Sequence, residues 1–284
     1  MQPRLGIMQG RLSTPLNNQI QAFPQTCWQD EFELCQKLGL QCMEWIYEYN
    51  GHESNPLMSS AGIDEMMKLK NIYGIDIGSV VADYFMVQRL FGDDQEMIKN
   101  AIDTLYALID QCAKSSIPII ELPFVDESAL CTPEDIKQLK ETLHEAINYA
   151  GDKNVLITLE TSLPPQRFYE LIESFCSPYV KVNYDMGNSA SLGYDPVEEI
   201  TLMGKYIANV HIKDRLLGGG TVPLGCGNTD FKIVFAELKR IGYSGDFILQ
   251  AARRDLFHHI DHVHYEDTIR GYIAFVKPYI EVFS

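Results

Sequence analysis

Basic residues are scarce in this chain, with 23 lysines and arginines against 39 aspartates and glutamates, a formal net charge of -16 over 284 residues. Such a field repels a polyphosphate unless a local basic stripe offsets it, and no stripe is present, so nucleic acid is excluded as a partner. Cysteine offers no framework either. The seven cysteines, Cys27, Cys35, Cys42, Cys112, Cys131, Cys176 and Cys226, are odd in number and lack C-x-x-C spacing, which points to neither a disulfide scaffold nor a cysteine-rich zinc site. They read as buried thiols of a reducing cytosol. No apolar run approaches the roughly 18 residues of a membrane span. The opening MQPRLGIMQGRLS lacks the apolar stretch of a secretion signal. A cytoplasmic protein with no membrane partner is expected. No G-x-G-x-x-G follows the first apolar run, which removes the best support for a dinucleotide fold, and no low-complexity tract or linker divides the chain.

What is present is rhythm. Apolar strand-like runs occupy residues 5–8, 42–46, 75–81, 117–122, 155–160, 180–185, 207–214 and 246–250, eight in all. Between them lie segments with helical periodicity, such as 30–38 with Phe32, Leu34, Cys35 and Leu38 on one side, 98–112 with Ile102, Leu105, Leu108 and Ile109, and 136–149 with Leu139, Leu143, Ala146 and Ile147. Thr132–Pro133 and Asp195–Pro196 each set a helix cap before a residue pre-set for the first turn, and Thr229 or Asp230 opens a further helix over 231–240. Strands alternating with helices predict a parallel sheet, and eight units predict its closure into a (β/α)8 barrel, an α/β fold commonly built from roughly 250 residues. One domain over residues 1–284 is the expectation.

Four polar residues sit at or just past the C-terminal ends of successive runs: Glu160, Asp185, His211 and Gln250. Strand C-termini of a barrel open onto one face, so these four are predicted to converge as ligands of a divalent metal: two carboxylates, an imidazole and an amide oxygen suit manganese, magnesium, cobalt or zinc. Gln9 and Arg11 follow the first run and Asp83 the third, while Glu44 and Glu121 lie in the second and fourth. All are expected at the mouth, with Glu44 and Glu121 as hydrogen-bonding partners for sugar hydroxyls. Lys213 shares a strand face with His211 by period-two alternation. Together with Arg215, Arg253 and Arg254 it forms a candidate anion pocket. The histidines of FHHIDHVHYED, at 258, 259, 262 and 264, lack an H-E-x-x-H setting and read as a solvated loop or helix start rather than a second metal site.

The segments LITLET around Glu160, NYDMGNSASLGYDP around Asp185, ANVHIKDR around His211, and VPLGCGNTDF, taken together over residues 155–250, resemble the sugar phosphate isomerase/epimerase family of xylose isomerase-like barrels. That group includes tagatose 3-epimerase, L-xylulose 5-phosphate 3-epimerase, hydroxypyruvate isomerase, inosose dehydratase and an apurinic endonuclease branch; GIMQGRLS and LGLQCMEW agree more loosely. The resemblance implies metal ligation by Glu160, Asp185 and His211, with the fourth family ligand, a glutamate, replaced by Gln250. In the family's epimerases the first and last of these glutamates are acid and base on opposite faces of the substrate, and the metal polarises the carbonyl. An amide returns no proton, so the resemblance implies metal-assisted enolisation with Glu160 as base, and inversion only if Glu44, Asp83 or Glu121 supplies the second proton acceptor. Asn188 stands where the endonuclease branch has histidine, which sets that branch aside, and it is counted with the substrate-binding residues. The expected ligand is a small sugar or sugar phosphate, in a barrel of a group whose members often pair. Elimination of a β-hydroxyl, as by a sugar or inosose dehydratase, and sugar binding without turnover are the alternatives.

Overall fold

The protein, a computed structural model, is described over residues 2–15, 19, 21–253 and 263–283, with the side chains of 263–265 outside that description. Eight parallel strands pair in chain order and close on themselves: β1 (Leu5–Met8), β2 (Cys42–Ile46), β3 (Asp76–Val81), β4 (Ile119–Phe124), β5 (Leu156–Thr161), β6 (Val180–Asp185), β7 (Ile207–Ile212) and β8 (Asp246–Leu249). Closure runs through the β1–β8 pairing, Leu5 opposite Phe247 and Ile7 opposite Leu249.

The helices that return the chain from one strand to the next carry their apolar residues at helical spacing. In α1 (Asp30–Leu38), Phe32, Cys35 and Leu38 are buried and Leu34 partly so; in α4 (Gln95–Lys114) the buried face is Ala101, Leu105, Leu108, Ile109 and Cys112. The α5 helix (Pro133–Asp152) buries Leu139, Leu143, Ala146 and Ile147, each leucine contributing about 1.5–3 kcal/mol through burial. Between these come α2 (Ser60–Tyr73) and α3 (Tyr84–Val87), and after them α6 (Pro165–Ser174), α7 (Met186–Leu192), α8 (Pro196–Met203), α9 (Phe231–Arg240) and α10 (Val263–Ile280). Caps fall where the sequence marks them. Thr132 and Asp135 form a reciprocal capping box on α5, Asp195 caps α8, and Asp230 rather than Thr229 caps α9 through Ile233 N–H.

Strand ends differ from the sequence reading at two places that matter to the site. The fourth strand begins at Ile119 and runs on to Phe124, since Ser116 turns the chain with φ of 56°. The seventh ends at Ile212, two residues early, because the Asp214 carboxylate collects the N–H groups of Gly225 and Gly227 at 2.9 and 2.8 Å and of Thr229 at 3.0 Å. That one side chain therefore explains both the HIKD turn and the VPLGCGNTDF loop that folds over it.

Candidate active site at the barrel mouth

The Asp185 carboxylate is held by two roles at once. Its Oδ1 caps α7, accepting from Gly187 N–H at 2.9 Å and Asn188 N–H at 2.7 Å, which leaves Oδ2 facing Lys213 Nζ at 3.1 Å and His211 Nδ1 at 3.9 Å. Gly187 permits this approach, as a Cβ there would stand 2.8 Å from Lys213 Cβ and Cγ. Glu160 lies across the imidazole, its Oε2 3.5 Å from His211 Nδ1. Two asparagines orient it, Asn183 Nδ2 donating to Oε2 at 2.8 Å and Asn188 Nδ2 to Oε1 at 2.5 Å. Arg215 in turn donates to Asn188 Oδ1 at 2.8 Å and to the Gly219 carbonyl at 3.1 Å, which locks the amide's direction.

Burial, and then the charges of Asp185 and Glu121, push the Glu160 carboxyl well above the ordinary carboxylate range. For His211 burial works toward the neutral ring, but Glu121 and Glu44 outweigh it and the imidazolium is favoured. One ligand atom each from Glu160, Asp185 and His211 falls within a 4.8 Å cluster. Two carboxylates and an imidazole at that spacing fit a first-row divalent ion or magnesium. Gln250 joins differently from the expectation. Its Oε1 accepts from Lys213 Nζ at 3.1 Å, so the ammonium bridges Gln250 and Asp185. Its Nε2 donates to Gln21 Oε1 at 3.1 Å, and Gln21 Nε2 donates to Asp83 Oδ2 at 2.5 Å.

Other residues expected at the mouth take different places. Glu44 and Glu121 are fully buried on the far side of the His211 ring, 2.8 and 3.2 Å from Nε2, where they pair with the imidazole. Gln9 is buried and its Oε1 accepts from Ile46 N–H. Arg11 is buried and donates to Gln21 Oε1 at 3.3 Å. Arg253 donates to the carbonyls of Ser13 and Gly10, holding the loop after β1 where an anion pocket was expected. Arg254 and His258, His259 and His262 lie outside the described residues, as does the side chain of His264. Cys35, Cys42 and Cys112 are buried as expected, whereas Cys131, Cys176 and Cys226 are exposed, so the thiols are not uniformly core residues; all seven are unpaired.

Several participants were not singled out in the sequence. Asn183 and Asn209 precede Asp185 and His211 by two residues and therefore share their strand faces, a signal available in the sequence. Gln21 and Glu31 carried none. Glu31 is a fully buried carboxylate that accepts from Gly10 N–H, Leu12 N–H and Ser13 Oγ and so shapes the loop bearing Gln9 and Arg11.

The profile of the xylose isomerase-like TIM barrel family matches residues 32–277. The chain belongs to that family. Among relatives within reach of its sequence is the L-ribulose-5-phosphate 3-epimerase UlaE of Escherichia coli, 22% identical over 234 residues that cover 79% of this chain and 82% of the relative. The inosose dehydratase of Geobacillus thermodenitrificans is 24% identical over 216 residues, covering 66% of this chain and 72% of the relative. The barrel superposes on a solved structure of the IOLI protein with a bound zinc atom at a TM-score of 0.76 and 18% identity, over 97% of this chain and 99% of the other. No helix among the described residues is long and apolar enough to cross a membrane.

Proposed function

We propose that the protein is a metal-dependent isomerase or epimerase of a small sugar or sugar phosphate, built as one domain over residues 1–284, that moves a proton α to a carbonyl through an enediolate. The observation that carries this reading is the convergence of Glu160, Asp185 and His211 in one cluster at the barrel mouth, in a chain with a sugar-phosphate epimerase among its relatives. A divalent ion, manganese, magnesium, cobalt or zinc, would be held by Glu160, Asp185 and His211 and would polarise the substrate carbonyl.

The remaining work falls to the chain. Glu160 removes the proton; Asn183 and Asn188 aim its carboxylate and Arg215 braces Asn188. Lys213 sets a positive charge beside Asp185 and Gln250, where charge developing on a substrate oxygen is stabilised. Gln250 cannot return a proton from the second face. Asp83, joined to Gln250 through Gln21, has a carboxyl pushed up to about 7, first by burial and then by the charges of Glu48, Glu160 and Glu44. A group that titrates there can give and take a proton at neutral pH, and Asp83 fills the second role. The free thiols fit a reducing, cytoplasmic setting.

The test is deuterium exchange. With manganese and L-ribulose 5-phosphate, or another member of a panel of pentuloses, hexuloses and their phosphates, the protein in deuterium oxide is expected to place deuterium on the α-carbon. Glu160→Gln is expected to slow this by about 10²–10⁴-fold. Full exchange in that variant overturns Glu160 as base, and no exchange with any sugar overturns turnover in favour of binding alone. The inosose dehydratase relative and the amide at 250 support one second reading, in which the enolate expels a hydroxyl; loss of water from the substrate identifies it.

A further inference from the structure

At the mouth, one lysine occupies oxygens that a metal would need. Asp185 Oδ1 uses both of its lone pairs on the N–H groups of Gly187 and Asn188, so Oδ2 is the oxygen left for a cation. Lys213 Nζ already donates to it at 3.1 Å, and at the same distance to Gln250 Oε1. Two of the four ligand atoms expected from the sequence are therefore covered by a single ammonium.

The pairing has a cause in depth. The Asp185 side chain is 1% exposed and that of Lys213 14%, and a buried carboxylate without a cation is costly. Among the described residues Lys213 is the one lysine or arginine that forms an ion pair with it. The lysine's Cβ and Cγ lie against Gly187, where an added Cβ would come within 2.8 Å of both. The stem is held there, while the flexible carbons beyond it leave the ammonium free to turn.

A divalent ion at Glu160, Asp185 and His211 alters this balance. If it shared Oδ2 with the ammonium, the two cations would stand within about 5 Å of each other. Only two carboxylates face them, because Gln250 is an amide and brings no charge. At such a separation like charges repel strongly enough to decide occupancy, even at a high effective dielectric constant.

We infer that Lys213 is a built-in counter-ion that competes with the divalent cation for Asp185 Oδ2. It neutralises Asp185 in the metal-free protein and leaves that oxygen when the ion enters. Loading of the metal thus releases the ammonium toward a substrate oxygen, and Lys213 regulates how tightly the mouth is loaded. This deepens the reading of the mouth as a metal site and rests on it.

Manganese titrated into metal-free protein, followed by calorimetry and by the paramagnetic signal of the ion, tests the competition without any sugar. Lys213→Met keeps most of the stem and removes the charge. It is expected to bind manganese about ten- to a hundredfold more tightly than the wild type, whereas loss of a lysine that merely packed the mouth would weaken binding. In an Asp185→Asn background the same substitution is expected to lose most of that gain. Should Lys213→Met fail to fold, Lys213→Gln is read in the same way. Manganese bound no more tightly by Lys213→Met than by the wild type, or a gain of the same size in the Asp185→Asn background, overturns the competition and leaves the metal site standing. No manganese bound by either wild type or Lys213→Met overturns the metal reading and this inference with it.

Discussion

An amide at position 250 accepts and donates hydrogen bonds but moves no proton, and the structure commits both of its ends, Oε1 to Lys213 and Nε2 to Gln21. The line Asp185–Lys213–Gln250–Gln21–Asp83 therefore ends on a carboxylate that titrates near neutrality. If Asp83 is the second proton acceptor, Asp83→Asn abolishes inversion while deuterium still exchanges on the Glu160 face, and Gln250→Glu leaves the inversion rate of the wild type unchanged. A rise in epimerase activity in Gln250→Glu means instead that the second base was missing. At this scale residue types and alternation were legible: Glu160, Asp185, His211 and Lys213 were readable as one face because they recur at strand ends. Depth was not. Period two tells which way Glu44 and Glu121 point but not how far below the mouth a strand's middle lies, and a turn contact such as Glu31 with Gly10 depends on a fold that no local pattern records.

Helix starts were legible because a cap is a local exchange between a side chain and N–H groups three residues away. Thr132 accepts from Asp135 N–H at 3.1 Å and Asp135 returns the bond to Thr132 N–H at 2.7 Å. Thr132→Ala is expected to cost about 1 kcal/mol, which for a chain of this size lowers the melting temperature by about 2 °C, measured by thermal denaturation. The end of β7 was not legible, since its cause is Asp214, whose acceptors satisfy three N–H groups of a loop up to 15 residues on. Asp214→Ala strands those donors, at about 1–3 kcal/mol for each that stays buried. Its melting temperature is expected to fall further than that of Thr132→Ala, with proteolysis appearing first in the loop between Gly218 and Thr229. Equal effects from the two variants would mean that water replaces the carboxylate and that the loop does not hang on it.

The whole chain carries an excess of acid, and part of that acid is inside. The carboxyls of Glu31, Asp83 and Glu199 are each pushed up to about 7, burial being the largest cause in all three and outweighing the hydrogen bonds that Glu31 accepts from the β1 loop and that Glu199 accepts from Ser189 and Tyr184. The folded protein therefore holds these protons more tightly than the unfolded chain, whose carboxyls titrate near 4. Between about pH 4.5 and 7 the unfolded state binds fewer protons, so the slope of unfolding free energy with pH is negative across that window. Stability is full below it, falls as pH rises through it, and levels off above. Self-repulsion of a chain with net charge -16 acts in the same direction. The urea midpoint is thus expected to be higher at pH 5 than at pH 8, and Glu31→Gln, which keeps much of the shape of the carboxyl without its ionisation, should narrow the gap. A divalent cation works against the trend, because it binds the ionised carboxylates of the folded state; at about 100 times its Kd it adds about 2.7 kcal/mol, and more of that gain should be seen at pH 8 than at pH 5. A midpoint that rises between pH 5 and pH 8 in metal-free protein would show that the buried carboxyls are ionised and compensated by partners other than protons.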